Sequence, residues 1–136
     1  MTRGSAGFTL LEMLVVLAIL GLTAGLVASR ARPGAGGLEL RGAAGQVGNL
    51  LREARAQAIA TNQAVAVRAD PATARLGIAG GREMALPRGV ALQASGAIGF
   101  SGDGSSTGGS LLLAEGPRRL VVAVDWLTGR VSLAAP

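Results

Sequence analysis

Glu12 is the residue whose chemistry most needs an explanation. It lies within the apolar run GFTLLEMLVVLAIL, residues 7–20, and the next basic residue along the chain is Arg30. A carboxylate in an apolar medium is costly unless water or a cation reaches it. Either Glu12 lies close enough to the start of the run to reach a polar interface, or it has a positively charged partner that the run itself does not supply.

A Gly-rich stretch, FSGDGSSTGGSL at residues 100–111, is the second candidate for chemistry. The backbone amides of such loops can hold phosphate groups, but this stretch contains neither GK[ST] nor a GxGxxG followed by a helix. Asp103 is its only carboxylate, whereas hard cations need several oxygen ligands. We expect residues 101–110 to form a mobile hairpin connection without a metal or cofactor, and whether they bind anything else stays open.

The composition removes most catalytic chemistry. The chain has no cysteine, histidine, tyrosine or lysine. These absences exclude a Cys or His nucleophile, a His general base, a Cys/His zinc site and a Ser–Lys dyad. We therefore expect a protein that is not an enzyme, with no catalytic residue and no cofactor.

The positive charge indicates a solvated surface rather than a nucleic-acid site. All 13 basic residues are arginines, and the formal net charge is +5. They are scattered singly or in pairs such as Arg118 and Arg119, are interleaved with acids, and have no aromatic partners for stacking on bases. Nucleic acid is not an expected partner.

Residues 8–29 are predicted to be a transmembrane helix. A helix from Phe8 to Ser29, rising ~1.5 Å per residue, is about 33 Å long, and a bilayer core is about 30 Å thick. Its Leu, Ile, Val and Phe residues favour insertion by about 4 to 7 kcal/mol, and an acid at the centre opposes it by about 2.5 to 3.5 kcal/mol. Insertion is favoured with Glu12 included.

Two ordinary interpretations of this run are open. It is a secretory signal peptide if the small residues VAS at 27–29 are a cleavage site, and the mature chain then begins near Arg30. It is a plain membrane anchor if the Glu12 side chain extends to the interface. Basic residues lie on both sides of the run, at Arg3 and Arg30, so they do not orient it firmly.

Residues 38–136 are predicted to form one α+β domain after a break at residues 30–37, RARPGAGG. Pro33 lacks an amide hydrogen, and the glycines weaken a helix. An amphipathic helix is predicted over about residues 39–61, because its apolar residues recur mostly at steps of three and four: Leu38, Val47, Leu50, Leu51, Ala54, Ala58 and Ile59.

A β segment is predicted over about residues 64–134. Short β-like runs separated by Gly, Pro and Asp indicate an antiparallel sheet, or a pair of sheets, packed on the helix. Turns are predicted at Gly80 and Gly81 and at Gly129, which suits a left-handed backbone. The eight predicted strands are AVAVRA, RLGIA, EMALP, VALQA, AIGFS, SLLLAE, RLVVAVD and GRVSLA.

The N-terminal residues resemble the class III signal of type IV pilins and type II secretion pseudopilins. RGSAG is followed by FTLLEMLVVLAILGL, which resembles a short polar leader, residues 1–7, followed by the assembly helix. The resemblance implies that a prepilin peptidase cleaves after Gly7 and methylates the new N-terminus at Phe8. Glu12 then becomes the fifth residue and an assembly determinant, because the cut creates a positive amine four residues away that can pair with it.

The rest of the chain resembles the H-type minor pseudopilins, the general secretion pathway H and type IV minor pilin T family. REARAQAI at 52–59, GDGSSTGG at 102–109 and VDWLTGRV at 124–131 carry this resemblance. Family members often have Pro before the Asp where this chain has Gly102. The implied fold is type IV pilin-like, with a long N-terminal helix packed on an antiparallel β domain.

The resemblance implies a minor pseudopilin of the type II secretion pseudopilus. Its implied role is structural: it takes part in filament assembly near the tip and in the export of folded proteins across the outer membrane. The implied location is the bacterial inner membrane, single-pass, with a periplasmic domain. The implied partners are the prepilin peptidase, other major and minor pseudopilins and the inner-membrane secretion platform.

Two other functions are open. One is a minor type IV pilin involved in pilus assembly or DNA uptake, which clustering of Arg118, Arg119 and Arg130 would favour. The other is a secreted soluble β domain with a cleaved signal peptide.

Overall fold

The computed structural model describes residues 9–30, 35–94 and 96–135, with side chains for all of these except 27–30, 35 and 36. The chain divides into two compact units, Met1–Gly34 and Ala35–Pro136. Among the described residues, the first contains helix α1 (Leu10–Arg30), and the second contains helix α2 (Ala35–Thr61) and the eight strands.

Helix α1 spans Leu10–Arg30 and is capped by the residue before it. The Glu12 backbone N–H donates to both the Thr9 carbonyl oxygen, at 3.0 Å, and Thr9 Oγ1, at 3.2 Å. This is the Thr-x-x-Glu spacing of a capping box. Every α1 side chain described, from residue 10 to residue 26, is exposed, although most are large and apolar. Within the described ranges, no helix combines the length and the hydropathy that a membrane span requires.

Helix α2 spans Ala35–Thr61 and provides one face of the core. It begins within segment 30–37, where the sequence predicts a break, rather than at Glu39. The turns of α2 from Leu40 onward pack on the core, and their burial outweighs a glycine cost of ~1 kcal/mol per residue in the helix as a whole. Leu38 and Ile59, predicted for the apolar face, are 73% and 46% exposed. The buried residues of α2 are Leu40, Ala43, Ala44, Val47, Leu50, Leu51, Ala54 and Ala58.

Asn62 ends α2 by taking a left-handed backbone conformation, with φ of 52°. The Asn62 N–H donates to the carbonyl oxygen of Ile59, and the Gln63 N–H donates to that of Ala58. These two bonds form a Schellman motif, which satisfies carbonyls that the last helical turn leaves open.

The eight predicted strands are confirmed, and they form two antiparallel four-stranded sheets. The first sheet has the order β3-β2-β1-β5 and the second β4-β6-β7-β8. Strand bounds are β1 Val65–Asp70, β2 Arg75–Ile78, β3 Glu83–Ala85, β4 Ala91–Ala94, β5 Ile98–Phe100, β6 Gly109–Glu115, β7 Arg118–Val124 and β8 Val131–Ala134.

The core lies where α2 packs against strands of both sheets. Register aligns apolar residues across the strands, as in Val65 opposite Phe100 and Leu111 opposite Val122. Among the described residues no polar or charged side chain is buried in this core. The buried residues outside α2 are Val67, Leu76, Ile78, Leu86, Val90, Leu92, Ile98, Phe100, Leu111, Leu113, Val122 and Val124.

Candidate functional site

The predicted assembly residues fall partly within the described structure. Gly7 and Phe8, the predicted cleavage and methylation positions, lie outside the described residues. Glu12 lies in the first turn of α1, where the helix dipole favours a carboxylate by about 0.3 to 1 kcal/mol. The Thr-x-x-Glu spacing of Thr9 and Glu12 is visible in the sequence, but it was not used to predict where α1 begins.

The Gly-rich loop begins with an antiparallel reversal, in which Phe100 pairs with Ser106, but it does not connect two paired strands as predicted. It leaves β5 in the first sheet and enters β6 in the second sheet. Backbone amides of the loop are used in hydrogen bonds within the protein. The Ser101 N–H donates to the Ser105 carbonyl oxygen at 3.0 Å, and the Ser106 N–H donates to the Trp126 carbonyl oxygen at 2.9 Å. The second bond joins the two motifs GDGSSTGG and VDWLTGRV.

Asp103 stabilises the loop from within. The Ser105 hydroxyl and backbone N–H both donate to Asp103 Oδ1, at 2.6 and 2.9 Å. These donors, the hydroxyl first, lower the pKa of Asp103 below its usual 3.8. Within the described residues no group of three or more acidic residues could hold a metal ion.

Two loop glycines lie against the end of α2. A Cβ at Gly102 would collide with Asn62, including its Cα at 2.9 Å, so the loop passes closely over the helix end. This contact explains why a glycine stands here. Gly104 is buried, and Arg55 Nε donates to its carbonyl oxygen at 2.9 Å.

The β7–β8 turn completes this junction. Gly129 has the predicted left-handed conformation, with φ of 62°, and is buried. A Cβ there would collide with the Gly104 carbonyl oxygen and with Arg55 Nε. We call the contact of Arg55, Asn62, Gly102, Gly104 and Gly129 the loop junction.

Asp125 fixes the turn that carries Gly129. The Thr128 hydroxyl donates to Asp125 Oδ1 at 2.7 Å and the Thr128 N–H at 2.8 Å. These bonds, the hydroxyl first, lower the pKa of Asp125 below 3.8, with a smaller contribution from Arg130. Trp126 and Leu127 of the same turn are 65% and 63% exposed.

A basic groove of ≈ 530 Å³ opens beside the loop junction. It lies between the C-terminal half of α2 and the β7–β8 turn. Three of its lining residues are the arginines Arg52, Arg55 and Arg130. The other lining residues are Ala56, Ile59, Thr128, Gly129 and Val131.

The arginine cluster that would favour DNA does not form. Arg118 and Arg119 begin β7, whereas Arg130 follows its end. At a rise of ~3.3 Å per residue, this seven-residue strand separates them by about 20 Å. Arg130 lies instead near Arg52 and Arg55.

Sequence motifs place the chain in a family. Residues 43–128, more than half of the chain, match the family described as Type II transport protein GspH. The chain belongs to the GspH family. Residues 2–28 match the prokaryotic N-terminal methylation motif. A relative, Type II secretion system protein H of Xanthomonas campestris pv. campestris, is 37% identical over 140 residues, which cover 95% of this chain and 83% of that protein.

Two solved structures share the fold. The minor pseudopilin EpsH from the type 2 secretion system of Vibrio cholerae has a TM-score of 0.61 at 20% identity, over 72% of this chain and 98% of that one. The type IV minor pilin FimU of Pseudomonas aeruginosa also has a TM-score of 0.61 at 20% identity, over 72% of this chain and 92% of that one. The predicted type IV pilin-like fold is confirmed.

Proposed function

We propose that this chain is a minor pseudopilin of a type II secretion system, a structural subunit that helps a filament export folded proteins. The observation that carries the proposal is the GspH family match over residues 43–128, which follows a methylation motif over residues 2–28. The 37% identical relative, which is itself named for type II secretion, supports the same function.

Leader processing is the first step of the proposed function. A prepilin peptidase cleaves between Gly7 and Phe8 and methylates the Phe8 amine. The new amine then lies close in sequence to the first turn of α1, in which Glu12 stands. Pairing of the two charges, within one chain or between neighbours, offsets the cost of placing each in an apolar medium.

The proposed location is the inner membrane, with residues 8–29 as a single span and the β domain in the periplasm. The exposed apolar side chains along α1 support this location, because a helix that is apolar all round needs an apolar environment. The proposed span includes residues outside the described side chains. The proposed partners are the prepilin peptidase, major and minor pseudopilins and the secretion platform.

N-terminal analysis of the membrane-extracted protein tests the processing step. Intact mass and N-terminal sequencing should find methylated Phe8 as the first residue. Replacing Gly7 with a bulky residue should leave the leader attached. A mature chain that starts near Arg30 would instead identify a secretory signal peptide.

Crosslinking in secreting cells tests the role of Glu12. Glu12→Gln should abolish crosslinks to filament neighbours at equal membrane abundance, because removing one partner of a buried ion pair costs about 3 to 5 kcal/mol, a factor of a hundred or more. Glu39→Gln is the matched control, since Glu39 is an exposed acid on α2. Unchanged crosslinks and secretion in Glu12→Gln would mean that the carboxylate has no role in assembly and only extends to the membrane interface.

A minor type IV pilin is the second candidate, because FimU shares the fold as closely as EpsH does. The separation of Arg118 and Arg119 from Arg130 removes the basic cluster that would have favoured DNA uptake. Deletion of the chain distinguishes the two functions: loss of exoprotein secretion with normal pili supports the pseudopilin.

A further inference from the structure

The basic groove beside the loop junction is lined by both arginines and apolar residues. Arg52 and Arg55 project from α2, and Arg130 follows the β7–β8 turn, while Ala56, Ile59 and Val131 provide apolar surface. Ile59 is 46% exposed although it lies on a helix that packs on the core. The groove therefore offers apolar contact and positive charge side by side.

The arginines keep donors available. Arg55 uses its Nε on the Gly104 carbonyl oxygen, and Arg52 uses Nη1 on Asn49 Oδ1 at 3.0 Å. A guanidinium has five N–H donors, so each retains several. No ion pair among the described residues involves the groove arginines, and none of the groove's lining residues is acidic.

One acid, Asp125, offsets part of the positive charge of the groove. Asp125 interacts electrostatically with Arg130, but its Oδ1 accepts hydrogen bonds from Thr128 and Leu127 in its own turn. Glu53, which follows Arg52, pairs instead with Arg82 at 3.0 Å. A single acid does not balance three arginines, so the groove keeps a net positive charge for a ligand.

We propose that this groove binds a carboxylate-bearing apolar segment of another protein, with the carboxylates on Arg52 and Arg130 and an apolar side chain on Ile59. Arginine binds carboxylates through paired N–H donors, which matches the arginines of the groove. The proposal rests on the proposed function and deepens it, because it names the surface through which the β domain contacts a different subunit of the filament.

A second copy of the chain is a poor source of that carboxylate. Glu53 and Glu83 are engaged in ion pairs with Arg82 and Arg75. Three aspartates accept hydrogen bonds within their own turns: Asp70, Asp103 and Asp125. Glu39 is exposed, but each copy carries a formal net charge of +5, so two copies repel each other and charge complementarity favours a different protein.

Nucleic acid fits the groove less well than a protein segment. A phosphate backbone needs basic residues along a track, whereas Arg118 and Arg119 lie about 20 Å from Arg130 by strand geometry. The apolar surface of Ile59 and Val131 has no use in backbone binding. Nucleic acid is retained as an outcome of the test.

Site-specific photocrosslinking of the full chain in secreting cells tests the proposal. A benzophenone amino acid replaces Ala56, which lines the groove, or Gln57, the adjacent exposed α2 residue that does not. Position 56 should give an adduct with another protein, and the crosslinked peptide should contain Asp or Glu beside apolar residues. Position 57 should give at most a tenth of that adduct.

Charge variants provide the decisive comparison. Arg52→Glu and Arg130→Glu should each lower the position-56 adduct at least tenfold, whereas Arg52→Lys, which keeps the charge but loses the paired donors, should lower it less. Arg88→Glu, at an exposed site outside the groove, should leave it unchanged. Processing at Phe8 and membrane abundance are measured in every strain, so a failure of the proposed function appears there and not in the charge comparison.

Several results would overturn the proposal. They are the absence of a position-56 adduct in correctly processed protein, an adduct with a second copy of the chain, a nuclease-sensitive adduct, or a crosslinked peptide without acidic residues. An adduct that persists through both charge reversals would also overturn it. Each of these results leaves the family assignment intact.

Discussion

Arg55 Nε lies 2.9 Å from the carbonyl oxygen of Gly104, although 49 positions separate the two residues. The bond joins α2 to the loop that passes from the first sheet to the second. Gly129 packs against both groups, and a Cβ on it would collide with them. Three segments that are distant in sequence therefore close on one another at a single point.

The domain should fold without α1. All described core residues lie at Leu40 or later, and the second unit starts at Ala35. We expect residues 35–136 to be soluble and to unfold in one cooperative transition, measured by circular dichroism in urea. A disordered spectrum would show instead that a partner or α1 is needed for folding.

The close contact at Gly129 can be separated from its backbone conformation. Gly129 and Gly116 have φ of 62° and 56°, but a Cβ at Gly116 would meet nothing within 4 Å. Both alanine variants should lose about 1 to 2 kcal/mol for the left-handed backbone. Gly129→Ala should lose a further 1 to 3 kcal/mol or so from overpacking. Urea unfolding of both variants measures the difference, and equal losses would contradict the contact.

Arg55 should contribute to stability and Arg52 should not. Arg55→Ala leaves the buried Gly104 without its charged donor and should cost about 1.5 to 3 kcal/mol. Arg52→Ala removes an exposed arginine that bonds within its own helix, and it should change stability by less than about 0.5 kcal/mol. Chemical denaturation tests both, and a neutral Arg55→Ala would mean that water replaces the guanidinium.

The three turn aspartates should make the domain acid-sensitive. Hydrogen bonds lower the pKa values of Asp70, Asp103 and Asp125 in the folded state. A lowered folded pKa stabilises the protein above the unfolded value near 3.8, and this stabilisation is lost as pH falls through the folded pKa. Stability should therefore be flat above about pH 5 and fall below about pH 4.

Carboxyl NMR titration assigns this effect to individual residues. Thr128→Val removes the hydroxyl donor and should raise the pKa of Asp125 while leaving that of Asp70 unchanged. Thr73→Val should raise the pKa of Asp70 and leave that of Asp125 unchanged, because the Thr73 hydroxyl donates to Asp70 Oδ2 at 2.7 Å. A shift at both aspartates in either variant would indicate a global change rather than loss of one bond.

The sequence predicted the elements better than their contacts. Alternating and helical apolar periodicity depends on local burial, so it located all eight strands and most of α2. It placed Leu38 and Ile59 on the buried face because spacing alone does not say where the apolar surface of the sheets ends. The reversal within the loop at 101–110 was predicted, but its connection to the other sheet was not, because local turn residues do not reveal which sheet the next strand joins.

The loop junction could not be predicted from the sequence, for the same reason. Nothing near Arg55 in the sequence points to Gly104, and the crowding that requires glycine at Gly102 comes from Asn62. The left-handed conformation of Gly129 was predicted correctly, since a turn signal is local. What closes over that glycine is set by tertiary packing.

The apolar core gives the domain a particular response to temperature. Its described interior contains no buried polar or charged side chain, so the side chains there contribute almost entirely through exclusion from water. That contribution carries a large heat-capacity change and weakens on cooling. Below its temperature of maximum stability, further cooling therefore weakens the contact between α2 and the two sheets and with it the whole cooperative domain.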